Sequence, residues 1–298
     1  MVSDVAAFVL SGIALILAGA PLEAAAHAGA AGATSGNAQA WAWVLALLLA
    51  ASAALYAVGV RRLWRRAGAR RGLRGGHVLA FCLGWLVLAG ALFSPIDALA
   101  DRSFALHMAQ HELLMLVAAP LFVLARPLEA WTWALAQGLR RRAHAVTHAP
   151  WARRAWRAIA GHRGAWCLHA SALWIWHVPT LFVAAADNPS LHVLQHACFF
   201  GSALLFWWSV LRHRTAGALF SVFTTMLHTG ALGALLSLAP HPWYLAPAQS
   251  TVLGMSALED QQLGGLVMWV PGSLAYLLAG LGLVAGWLSP MRARHHVA

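Results

Sequence analysis

Residues 104–125 read FALHMAQHELLMLVAAPLFVLA, an apolar run that nevertheless carries two histidines and a glutamate. As a helix rising 1.5 Å per residue it would be roughly 33 Å long. That matches a hydrocarbon core of roughly 30 Å. Lipid offers no partner to backbone N–H and C=O groups, so a run of this length has to be helical. His107 and His111 are four residues apart and fall on one face of that helix. Ionisable side chains are costly at bilayer depth and face a bundle interior, where they bind or relay something.

The rest of the chain has the same character. Its 298 residues are 61% hydrophobic and 10% charged, whereas a soluble domain is about one quarter charged. We therefore expect an all-α, polytopic membrane bundle. Seven apolar spans fall near 39–60, 77–94, 104–125, 165–186, 191–211, 217–238 and 263–288. Residues 1–30 form a signal-like leader or an uncleaved first helix, and residues 31–298 form the seven-helix domain. Cys82, Cys167 and Cys198 each sit inside a span with no C-x-x-C spacing, so neither a disulfide framework nor a thiolate metal site is indicated.

The net charge of +11 comes from twenty arginines and no lysine. The arginines lie in short runs between spans, which fits the positive-inside rule and not a nucleic-acid surface. Arg61, Arg62, Arg65, Arg66, Arg70, Arg71 and Arg74 follow the first span. Arg126, Arg140, Arg141, Arg142, Arg153, Arg154, Arg157 and Arg163 follow the third. Arg212 and Arg214 follow the fifth span, and Arg292 and Arg294 the seventh. Asp97, Asp101, Asp187, Glu259 and Asp260 occupy the alternate loops, where Arg102 is the only arginine. This places residue 39 outside and the C-terminus in the cytoplasm. The long basic segment 126–164 contains Trp131, Trp133, Trp151 and Trp156. It reads as one or two short amphipathic helices on the inner leaflet, or as a solvated loop.

Six histidines fall in the outer half of the spans: His107, His111, His177, His192, His196 and His228. His192 and His196 repeat the H-x-x-x-H spacing of His107 and His111. Neutral imidazole is a common nitrogen ligand for copper, zinc and iron, so the six are candidate metal ligands. Gln110, Glu112, Gln195 and Asp260 are placed to hold the imidazole tautomers. Met108 and Met115 are soft groups that suit Cu(I) or simply pack. His169 lies toward the cytoplasmic end of its span and is set aside. No nucleophile elbow, phosphate loop or H-E-x-x-H is present, so no enzyme is expected.

Four motifs taken together resemble one family. They are Phe93-Ser94-Pro95-Ile96-Asp97 leading to His107-Met108-Ala109-Gln110-His111-Glu112-Leu113-Leu114-Met115; Trp176-His177-Val178-Pro179; Leu191-His192-Val193-Leu194-Gln195-His196 running to Phe206-Trp207-Trp208; and Asp260-Gln261-Gln262-Leu263-Gly264-Gly265-Leu266-Val267-Met268-Trp269-Val270-Pro271. The set is similar to the CtaG family of polytopic assembly factors for caa-type cytochrome c oxidases. The resemblance implies a seven-helix protein of the bacterial cytoplasmic (inner) membrane that helps mature a haem-copper oxidase. Its partners would be an oxidase subunit, a periplasmic copper donor and the lipid bilayer, with no nucleic acid. Copper, as Cu(I), is the expected cargo. Alternative readings are a b-type haem cytochrome with histidine axial ligands, a copper importer, and a chaperone whose histidines only pack.

Overall fold

The chain is represented by a computed structural model, which describes residues 34–68, 72–244 and 254–288. The expected leader, Arg70 and Arg71, and the C-terminal tail with Arg292 and Arg294 lie outside the described residues. The regular structure is helical throughout: α1 Thr34–Ala67, α2 Gly75–Phe93, α3 Pro95–Ala100, α4 Phe104–Ala125, α5 Pro127–Ala134, α6 Gln137–His148, α7 Pro150–Ala160, α8 His162–Trp176, α9 Pro179–Asp187, α10 Pro189–His213, α11 Ala216–Ser237 and α12 Ala257–Leu288. The helices α1, α2, α4, α10, α11 and α12 are each long and apolar enough to cross a bilayer.

The remaining crossing departs from the uninterrupted helix expected over 165–186. Here α8 and α9 meet at an angle of 77°. Pro179 supplies no N–H, and its ring disfavours helical backbone at the residue before it. Val178 is accordingly extended (φ −63°, ψ 125°), and His177 takes the bridge conformation that ends α8 (φ −93°, ψ 1°). Non-helical backbone at membrane depth needs a partner within the protein. Tyr244 provides it, donating its hydroxyl to the His177 carbonyl at 2.9 Å.

The third crossing is irregular in another way. Within α4, residues Leu113–Ala118 form a π-helical segment directly after His111 and Glu112. In that wider register the N–H of residue 120 would bond the Met115 carbonyl, but residue 120 is proline. Trp207 of α10 donates its indole N–H to that carbonyl instead, at 2.8 Å. The same bond ties α4 to α10, the two helices that carry the histidine pairs.

The start of α4 is held by α12. The Asp260 carboxylate accepts from Ser103 Oγ (2.7 Å), the Phe104 N–H (2.6 Å) and the Ala105 N–H (3.2 Å). Asp260 is thus a cap for the histidine-bearing helix, not the tautomer-holding neighbour expected of it. One turn on from Asp260, Gly264 leaves room for Phe104, whose ring a Cβ there would overlap. A Cβ at Gly265 would lie 2.6 Å from the Gly233 carbonyl oxygen and 2.5 Å from Ser237 Oγ, so α11 and α12 pack backbone to backbone. The short helices α5, α6 and α7 fill the basic segment 126–164, one more than the one or two expected.

Two stability outcomes are expected. Asp260→Ala removes three hydrogen bonds to a carboxylate cap and should cost about 1–2 kcal/mol, visible as a lowered thermal midpoint in detergent. Gly233→Leu forces side-chain atoms into the α11–α12 contact and should cost on the order of 1–3 kcal/mol by the same measurement. An unchanged midpoint in either variant would contradict the packing described.

Candidate metal centre

Two helices build the centre. In α4 and in α10 the first histidine of the pair comes three residues after the helix begins, and both helices run from the same end of the bundle. The pairs are therefore in register. Ring centroids are 4.3 Å apart within each pair, His107–His111 and His192–His196. Across the helices His107 stacks on His192 at 5.3 Å, and His111 meets His196 edge-on at 5.0 Å. The result is a ladder of four imidazoles.

His107, His111 and His196 each offer a ring nitrogen, and these three atoms lie within 4.8 Å of one another. Metal–nitrogen bonds of 2.0–2.1 Å imply nitrogens roughly 3.3–3.6 Å apart around one ion. Small χ rotations would bring the triad to that spacing. All three residues are buried or nearly so, and His107 Nε2, both nitrogens of His111 and His196 Nε2 have no hydrogen-bond partner. Leaving such atoms unpaired away from water costs about 1–3 kcal/mol each. A cation that accepts nitrogen lone pairs removes that penalty, so the residues present fit a metal ion.

The surroundings sort the other candidates. Gln195 of α10 hydrogen-bonds His107, as expected of a group that orients an imidazole. Gln110 does not: its amide donates to the Ala91 carbonyl (2.7 Å) and to Asp97 (2.6 Å), tying α4 to α2 and α3. Glu112 faces away toward α12, with a carboxylate oxygen 3.2 Å from where a Cβ on Gly272 would stand. Met108 is packed with Phe182, Leu232, Leu236, Tyr244 and Met268, and Met115 lies in a separate apolar cluster. The centre is therefore neutral and all-nitrogen, a donor set that suits copper, zinc or iron.

His177 lies beside the ladder. Its Nδ1–H donates to the Leu173 carbonyl at 2.6 Å, which fixes the tautomer and leaves Nε2 as a buried, unpartnered lone pair. The Phe199 ring separates it from His111, with centroids 5.9 Å and 4.6 Å away respectively. His228 is not brought to the ladder. It sits on α11 against Trp166 of α8, at 5.8 Å. Over the ladder, Phe104, Phe182 and Tyr244 form a mutually packed aromatic cap, with Phe182 5.3 Å from His107.

One polar group passed over in the sequence proves to be deeply buried. His169 is 1% exposed. Its Nδ1 is 3.0 Å from Ser202 Oγ and its Nε2 3.4 Å from the Tyr276 hydroxyl. Ser202 gives its own proton to the Phe199 carbonyl, so His169 donates from Nδ1 and accepts from Tyr276 at Nε2. The signal was the helical spacing of the buried stripe Ala165, His169, Leu173 and Trp176.

A family model for cytochrome c oxidase caa3 assembly factors (Caa3_CtaG) matches residues 54–289. No curated protein and no solved structure matches the chain. The matched region takes in both histidine pairs, the broken crossing with His177, and the Asp260 cap. Since the match covers most of its length, the chain belongs to the family of cytochrome c oxidase caa3 assembly factors.

Proposed function

We propose that the protein holds a Cu(I) ion at the histidine centre and delivers it to a haem-copper oxidase subunit during assembly. The observation that carries this reading is the convergence of His107, His111 and His196, buried, from two helices, with unpartnered ring nitrogens. These three are the holding ligands. His192, stacked on His107 at the end of the ladder nearer the helix starts, is the exchange ligand through which the ion enters and leaves. His177, with its tautomer already set, is a further ligand for a transfer intermediate. His228, against Trp166, takes no part in the holding site. The protein makes and breaks coordination bonds only, and is not an enzyme.

The arginine-rich loops gather at the end of the bundle opposite the ladder. By the positive-inside rule the ladder then faces the outside of the cytoplasmic membrane, with the C-terminus in the cytoplasm. A copper donor outside the membrane would reach His192 first. The ladder does not favour the haem alternative, because neighbouring imidazoles with centroids 4.3–5.3 Å apart leave no slot for a macrocycle between them.

Anaerobic titration of the purified protein with Cu(I) should give one ion per chain. His111→Ala and His196→Ala should each weaken binding by on the order of tenfold or more and lower oxidase activity in cells. Because a ligating imidazole has to be neutral, affinity should fall as the pH is lowered. Unchanged copper content in the double variant would overturn the proposal. A Soret band in the purified protein would replace it with the haem reading.

A further inference from the structure

The segment between the third crossing and the broken one, residues 126–164, carries eight of the twenty arginines. The helices α6 and α7 hold Arg140, Arg141, Arg142, Arg153, Arg154 and Arg157, and no acidic residue occurs from 130 to 186. At 12 and 11 residues they are about 17–18 Å long, too short to cross roughly 30 Å of hydrocarbon. Both nevertheless expose large apolar side chains. In α6 these are Leu139 and Val146, two turns apart on one face, and the helix buries no residue at all.

The face pattern of α7 is more telling. One side packs on the bundle: Ala160 is buried, and Trp156 meets Trp208 edge-on at 5.7 Å, beneath the Arg212 guanidinium. A second side presents Trp151, 66% exposed, and Ile159, 41% exposed. The third side carries Arg153, Arg154 and Arg157. This platform is held rigidly. A Cβ at Gly164 would overlap the Ala158 carbonyl, and the Gly161 N–H bonds the Arg157 carbonyl, so α7 turns tightly into α8.

An apolar face beside an arginine face, on a short helix fixed at the end of a membrane bundle, matches the boundary between acyl chains and phosphates. We propose that α6 and α7 form a binding platform for acidic phospholipid headgroups. Trp151 and Ile159 enter the acyl region, and the arginines pair with phosphate oxygens, which guanidinium groups bind through paired hydrogen bonds. The Arg126–Glu129 and Glu129–Arg212 pairs close to the platform occupy the nearest acid, so it does not compete for these six cations. This role is independent of the metal centre.

The test uses the full chain reconstituted in phosphatidylcholine bilayers containing spin-labelled phosphatidylglycerol or spin-labelled phosphatidylcholine. Electron paramagnetic resonance then reads the fraction of each label held at the protein. The wild type should hold phosphatidylglycerol about twofold or more over phosphatidylcholine at low salt, with the preference falling as salt rises. Arg153→Gln/Arg154→Gln/Arg157→Gln should lose at least half of the preference. The corresponding lysine triple variant should keep it, which separates loss of charge from loss of fold. Arg61→Gln/Arg65→Gln, on α1, should leave most of it. Equal association of the two lipids with the wild type would overturn the proposal and point to an acidic protein partner for this face. An unchanged preference in the glutamine triple variant, or a loss confined to the α1 variant, would overturn it as well.

Discussion

Four imidazoles packed ring against ring inside a membrane bundle, with no carboxylate among them, set the terms for everything around them. Lipid penalises such groups, and a neutral cluster of this size is tolerated only if protein encloses it. The enclosure is the in-register pairing of α4 and α10, sealed by Phe104, Phe182 and Tyr244 above and by Phe199 at its side. Each carboxylate in the neighbourhood is engaged elsewhere or turned away. Asp260 caps α4, Asp97 holds Gln110, and Glu112 faces α12. What remains at the centre is nitrogen lone pairs.

Holding that register has required two departures from regular helix, and both follow one logic. A proline removes a backbone donor, the freed carbonyl needs a substitute, and an aromatic side chain from another element supplies it. Trp207 serves Met115 in the π segment before Pro120, and Tyr244 serves His177 at the break before Pro179. In water such carbonyls would be solvated at little cost. In lipid each would be a penalty of several kcal/mol, so the aromatic residue and the irregularity belong together. Their effect is to aim His111 and His177 at a common wall, the Phe199 ring.

The molecule also separates its polar groups by depth. The histidine ladder occupies the end where the spans carry acidic loops, and the arginines, Arg102 apart, occupy the other. Between them lies the Tyr276–His169–Ser202 chain, satisfied internally, with His169 stacked against Phe206.

Much of this was legible in the amino-acid order, because hydropathy and charge act locally. Run lengths of about twenty apolar residues, arginines in alternate loops and H-x-x-x-H spacing are properties of single helices, and they determined the class of fold and the candidate histidines. Register between helices is not a local property. That His107 meets His192, that His228 instead meets Trp166, and that Asp260 caps a helix 156 positions away from it in the chain depend on which faces turn toward each other. Those faces are set by packing at Gly233, Gly264 and Gly265 and by carbonyls rescued across helices. Side-chain chemistry named the parts. Only the tertiary structure, by fixing helix rotation and depth through close packing, decided which of them share a site.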